Sequence, residues 1–489
     1  MRLSDLLHEA RIAAASVADA AGDLVNPTVR LGVTGLSGAG KTVFITALVN
    51  ALVQGGRLPL FRAAAEGRLA AAGLAPQPDD AVPRFAVEDH LAALVERREW
   101  PQSTRRIAEL RVVLDYQPAG FWGRQLGRSR LTLDIVDYPG EWLLDLGLLE
   151  KSYAEWSAET VDASRRGARA SLAAKFHAAL AAASPAGQAT EADAAALATA
   201  FTAYLRAART ARHALSALPP GRFLMPGDLE SSPMLTFAPL DLAADAVAAR
   251  GSLQAMMERR YGAYVEHVVR PFFRDHFARL DRQIVLVDVL ATLNAGADAV
   301  ADLEAALGDV LTAFRHGRSG WLSGLWRPEV DRLLFAATKA DHLHHTSHDR
   351  LEAILARLVA RARHRAEGAG AAVDVVALAA VRATREGTAE RGGETLPVIV
   401  GTPAAGETVA GERYDGEEEV AIFPGDLPAD PEVALRPGGY RAGMDAADAD
   451  LRFVRFRPPA VAPAPDGAVR LPHIRLDRAL QFLVGDKLA

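Results

Sequence analysis

Residues 35–42 read Gly-Leu-Ser-Gly-Ala-Gly-Lys-Thr and match G-x-x-x-x-G-K-[ST] in full. A short β-rich run, Arg30 to Thr34, leads into them, and helical periodicity follows over Thr42–Val53. A strand that turns through glycines into a helix N-terminus is the opening unit of an α/β domain with a mostly parallel sheet. The glycines let successive backbone N–H groups converge on an anion, and the helix adds the positive end of its dipole. On this reading Gly35, Ser37, Gly38, Ala39, Gly40 and Val43 form the cradle. Lys41 reaches the outer phosphates, and the Thr42 hydroxyl ligates Mg²⁺. Of 55 basic residues only five are lysines (Lys41, Lys151, Lys175, Lys339 and Lys487), so a motif that demands lysine is poorly explained by composition.

A second constellation lies in LTLDIVDYPGEW, where an apolar strand ends in Asp137-Tyr138-Pro139-Gly140. A carboxylate at that place holds Mg²⁺, through water, and Gly140 brings its amide close to a γ-phosphate. Glu141 follows, where an attacking water is oriented; a carboxylate favoured by a helix dipole explains it equally well. Upstream, in Trp100-Pro101-Gln102-Ser103-Thr104, Thr104 is the residue expected to close on the metal, with Ser103 as its rival. Arg97, Arg98, Arg105 and Arg106 flank it; one could serve as an arginine finger, although a solvated cluster accounts for most of them.

Thr338-Lys339-Ala340-Asp341 ends a later strand and is similar to the [NT]-K-x-D element of GTPases. A carboxylate there accepts from guanine N1–H and the 2-amino group, donors that adenine lacks. The Lys339 stem lies across the purine. Ala379 and Ala380, after the last strand of the domain, are the loose candidates for an amide facing guanine O6. His342, His344, His345 and His348 show no familiar metal spacing, so zinc is not expected.

A length of 489 residues suggests about three units. We expect an N-terminal helix within 1–27 and a P-loop domain of 28–141 and 281–384. A mostly helical, alanine-rich insertion should fill 142–280, and an α+β C-terminal domain 385–489. Strands are expected at Ile107–Tyr116 and Leu131–Asp137, paired as a hairpin, and at Gln283–Asp288, Arg332–Thr338 and Ala371–Ala379. Helices are expected at 3–22, Ala299–Arg315 and His348–Glu367, with a short amphipathic one at the end. The net charge of −6 offers no field for nucleic acid, and the absence of cysteine removes disulfides, thiolate metal sites and a cysteine nucleophile. No secretory leader and no long uncharged apolar run stand out, so a soluble cytoplasmic protein is expected.

GLSGAGKT, WPQST, VDYPGEW, VLVDVLATLNAG, TKADH, VRAT and LPHIRLDRALQFLVGDKL together resemble the YcjX family of bacterial stress-associated proteins, over nearly the whole chain. The resemblance implies a P-loop, GTPase-like fold: a mostly parallel sheet flanked by helices, with a large helical insertion and an extra C-terminal domain. It implies GTP or ATP as ligand, GDP as product, a protein effector tied to an inner-membrane stress partner, and a place in the cytoplasm or peripheral at the inner membrane. The leading expectation is a Mg²⁺-dependent GTPase switch. An ATPase with a degenerate base pocket and a nucleotide-stabilised scaffold of negligible turnover are the alternatives.

Overall fold

The computed structural model describes residues 26–489 except 37, 103, 105, 121–126, 211–214, 231, 243–245, 313–329, 392, 410 and 437–452. The helix expected over 3–22 and the candidates Ser37, Ser103 and Arg105 lie outside the described residues.

Seven strands form the main sheet: β1 (Thr28–Gly35), β2 (Leu69–Ala75), β3 (Ala108–Tyr116), β4 (Ser129–Asp137), β5 (Arg282–Val287), β6 (Arg332–Ala337) and β7 (Ala372–Ala377). Their order is β2-β3-β4-β1-β5-β6-β7. The five from β4 to β7 run parallel, while β3 is antiparallel to β4 and β2 to β3. The β3–β4 hairpin is the expected one. Strand β2 was not expected, because LAAAGLA carries no β-branched residue. It forms at the sheet edge because the β3 edge offers it a backbone partner.

The near-continuous apolar run of β5 is explained by burial on both faces. Ile284 and Leu286 enter one core, Val285 and Val287 the other. The first core is closed by α1 (Lys41–Val53) and α2 (Val87–Val95). Between β4 and β5 the insertion begins with an 11-residue 3₁₀ segment, Gly140–Glu150, and includes α3 (Glu191–Ala208) and α4 (Leu253–Tyr264). Its own core is aromatic, with Tyr153, Trp156, Phe176, Phe201, Phe237 and Tyr261 packed together. The second face of the sheet is covered by α5 (Ala297–Thr312) and α6 (His348–Leu358). The helix expected over His348–Glu367 breaks at Val359 and resumes at Ala360–Gly368.

After β7 a small antiparallel sheet is built from Arg385–Arg391, Glu394–Gly401 and Val420–Ile422. The last helix, α7 (Leu476–Val484), returns to the main sheet. Leu476, Ala479, Leu480 and Leu483 join the core under β1, β5 and β6. No helix among the described residues is long and apolar enough to cross a membrane.

Candidate nucleotide site

Strand β1 delivers the chain to Gly35, whose φ is 148°; a Cβ there would meet the Leu286 carbonyl oxygen at 2.5 Å. Gly40 has φ 85° and stands before α1. No acidic residue occupies the first turn of α1 and, among the described residues, no side chain caps it, so its leading amides face the loop. Lys41 folds back over the loop and its Nζ donates to the Gly35 carbonyl at 2.9 Å. Burial pulls the Lys41 pKa below its ordinary value, Asp137 and Glu141 oppose that shift, and Arg209 adds to it.

The three residues expected to hold a metal meet in one hydrogen-bonded chain. Thr42 Oγ1 lies 3.2 Å from Thr104 Oγ1, and Thr104 Oγ1 donates to Asp137 Oδ2 at 2.5 Å. Asp137 is buried, and that burial pushes its pKa up to about 6 against the opposing pull of Lys41 and the Thr104 bond. Its other oxygen, Oδ1, is buried with no hydrogen-bond partner among the described residues. Two hydroxyls and an orphaned carboxylate oxygen form a hard, anionic donor set that fits Mg²⁺.

Gly140 packs directly on the P-loop: a Cβ there would stand 2.2 Å from the Gly35 carbonyl oxygen and 2.9 Å from Lys41 Nζ. Glu141 is buried and ion-paired with Arg209 of the insertion. The three flanking arginines among the described residues are engaged elsewhere or solvated. Arg97 lies 3.6 Å from Glu99, Arg98 donates to the Pro458 carbonyl at 3.1 Å, and Arg106 is exposed.

At the far end, β6 runs into Thr338-Lys339-Ala340-Asp341. Lys339 takes a left-handed φ of 60° and its Nζ pairs with Asp288 beyond β5. Asp341 is buried; its Oδ2 accepts the Ala383 amide at 2.8 Å, and its carbonyl accepts the Thr384 hydroxyl. Within VRAT, the Ala383 amide therefore fixes the carboxylate and the Thr384 hydroxyl the main chain of Asp341, roles the sequence alone did not suggest. Ala379 donates its amide to the Ile474 carbonyl at 3.0 Å, which leaves that N–H no role toward a base; Ala380 is its neighbour on the cavity wall.

One cavity of about 270 Å³ joins both ends. Gly38 to Phe44, Thr104, Thr338, Lys339, Asp341 and Leu378 to Val381 line it. Trp100, Pro101, His342, Arg455 and Phe456 complete the wall, and sequence reasoning gave none of these five a place in the nucleotide site. Trp100 Nε1 donates to the Phe456 carbonyl at 2.6 Å, so a segment some 350 positions downstream shapes the site. The four clustered histidines disperse. His342 lies against the Phe456 ring at 5.5 Å and His348 Nε2 meets the Ala340 carbonyl at 2.8 Å. Only His344 and His345, near the surface, approach Glu386, with ligand atoms within 4.8 Å of one another.

A strand order of β3-β4-β1-β5-β6-β7 with a glycine cradle at the tip of β1 defines a P-loop NTPase-like α/β protein of GTPase-like build. The chain belongs to the YcjX-like family, DUF463, whose model matches residues 29–488. It is 36 % identical over 480 residues to the Ras-like GTPase YcjX of Shewanella oneidensis, covering 94 % of each chain. It is 37 % identical over 475 residues to the Ras-like GTPase YcjX of Escherichia coli K12, covering 95 % of this chain and 97 % of that one.

Proposed function

We propose that this protein binds GTP with Mg²⁺ and hydrolyses it to GDP and phosphate, acting as a switch. The observation that carries the reading is the single cavity that holds both Lys41 and Asp341 on its wall. Asp341 is buried, with one oxygen fixed by the Ala383 amide; that geometry suits a carboxylate that takes the N1–H and 2-amino donors of guanine. The Ala380 amide is our candidate for O6, and the Lys339 stem, tethered at its tip by Asp288, for the purine face.

In hydrolysis a water oxygen bonds to the γ-phosphorus while the bond to the β–γ bridging oxygen breaks. The bridging oxygen keeps the electron pair and leaves on GDP, and the water proton ends on the released phosphate. Lys41 and the loop amides neutralise the charge that spreads over the phosphoryl oxygens. Glu141, immediately after Gly140, orients the water. Thr42, Thr104 and Asp137 would hold Mg²⁺, which supplies positive charge to the β- and γ-phosphates when bound. Loops at Thr104 and Gly140 bear on that same region, so loss of the γ-phosphate changes what they contact and signals to a protein effector. The family resemblance supports a role for that signalling in bacterial stress.

Equilibrium titration with GTP and ATP tests the base assignment. The wild type should prefer GTP, and Asp341→Asn should lose GTP affinity by about a thousandfold because an amide N–H donor replaces one of the two acceptor oxygens. The same variant should gain affinity for xanthosine triphosphate, whose 2-oxo group accepts where guanine donates. Equal affinity of the wild type for GTP and ATP would remove Asp341 from its role.

A further inference from the structure

Arg209 stands at the C-terminal end of α3, in the insertion, yet its guanidinium is paired with Glu141 on the P-loop side of the molecule. Glu141 is the residue that follows Gly140, and Gly140 abuts Lys41 Nζ. The charge of Arg209 is close enough to depress the Lys41 pKa. A cation from a distant element is thus brought against the residue that follows Gly140, beside the P-loop lysine.

The placement is built rather than incidental. The insertion grips the segment after Gly140 at several independent points. Gly221 lies so close that a Cβ would be 1.8 Å from the Glu141 carbonyl oxygen, and its amide donates to Asp145 at 2.6 Å. Tyr264 donates to the same Asp145 at 2.6 Å. Trp142 donates to the Met225 carbonyl at 3.0 Å, and the Arg222 guanidinium covers the Trp142 ring at 3.1 Å. These contacts fix the insertion, and with it Arg209, relative to the P-loop. Taking an ion pair out of water is costly and seldom repays itself in stability, so a buried Glu141 with a mostly shielded Arg209 calls for another reason.

We propose that Arg209 is an arginine finger supplied in cis by the helical insertion, delivering a second positive charge to the γ-phosphoryl group in the transition state. This rests on the GTP-hydrolysis reading above. Glu141 holds the guanidinium in the ready position; as charge develops on the γ-oxygens, the planar fork of Arg209 donates to them, and the Glu141 carboxylate turns to the attacking water. The arginine forms and breaks no covalent bond, so the balance of the reaction is unchanged. The insertion is then part of the hydrolytic site, and the candidates flanking Thr104 are not needed for this role.

Single-turnover hydrolysis of GTP by full-length wild type, Arg209→Ala and Arg209→Lys tests it, alongside affinities for GDP and for GDP with aluminium fluoride. Arg209→Ala should hydrolyse about a thousandfold more slowly while its GDP affinity stays within a factor of about three. It should lose the tightening that aluminium fluoride gives the wild type, and millimolar guanidinium chloride should restore part of its rate. Arg209→Lys should be nearly as slow, because a point charge does not reproduce the fork. Hydrolysis by Arg209→Ala at the wild-type rate would overturn the proposal. So would equal losses of GDP affinity and rate, the mark of a structural residue. A wild type that binds no GTP would instead overturn the underlying reading, and the GDP and GTP titrations of the wild type separate the two failures.

Discussion

A close approach beside the P-loop is made by a residue with no side chain. Gly140 leaves its α-carbon face against the Gly35 carbonyl and the Lys41 ammonium, and a single methyl group would stand 2.2 Å from that backbone oxygen. Gly140→Ala should therefore push the segment after β4 away from the P-loop while the cradle itself, built from Gly38, Gly40 and the first turn of α1, persists. GDP affinity should change by less than about threefold and GTP hydrolysis should fall by about a hundredfold, since one lost oxyanion donor costs that much elsewhere. Parallel GDP binding and single-turnover assays check this; equal losses in both would show that the methyl group disrupts the cradle as well. At this scale the sequence was informative where chemistry is local. Lys41, Thr42, Thr104 and Asp137 were named from motif spacing; the last three meet through hydroxyl and carboxylate contacts, and Lys41 folds onto the Gly35 carbonyl beside them. Arg209 and Phe456 carried no local signal, because their partners lie 68 and about 350 positions away and only tertiary packing joins them.

Among the elements, the 3₁₀ segment Gly140–Glu150 is held in place by contacts from the rest of the insertion. Asp145 is the clasp: it accepts from Tyr264 and from the Gly221 amide. Its burial raises its pKa to about 6, against the opposing effect of those two donors and of Arg222. A carboxyl raised in the folded state binds a proton more tightly there than in the unfolded chain. Its stabilising contribution is complete below the ordinary value of 3.8 and is lost as pH rises through about 6. Asp145→Asn does not titrate, so its melting temperature relative to wild type should climb between pH 4 and pH 7, other groups cancelling in the difference. A flat difference across that range would mean that Asp145 titrates normally. Periodicity exposed most elements but failed at β2, where alanine and glycine carry no strand preference and pairing with β3 decides the outcome. It failed again at Val359, where one apolar helical pattern hides two helices.

For the whole molecule, the main sheet is closed by its last helix. The terminal segment is tied in by α7 packing and by polar contacts that reach across the fold. Fully buried Arg282 on β5 pairs with Asp331 and Asp486 and donates to the Leu483 carbonyl at 2.7 Å. The Leu60 amide donates to Asp477 at 2.8 Å, and Tyr116 to the Lys487 carbonyl at 2.9 Å. A chain ending at residue 470 would leave the apolar faces of β1, β5 and β6 open and Arg282 without Asp486. It should be recovered insoluble or melt at least about 10 °C lower, as measured by circular dichroism. A truncated chain as stable as the full one would show that α7 is dispensable.

That arrangement sets the timing of birth as well as the final shape. The phosphate cradle is specified by residues 35–42, but part of the floor beneath it arrives only with residues 476–488. Until that moment the nascent polypeptide carries a nucleotide motif without a finished domain to support it. A chain that has not reached residue 476 therefore leaves bare the apolar surface of β1, β5 and β6 that the longer chain buries.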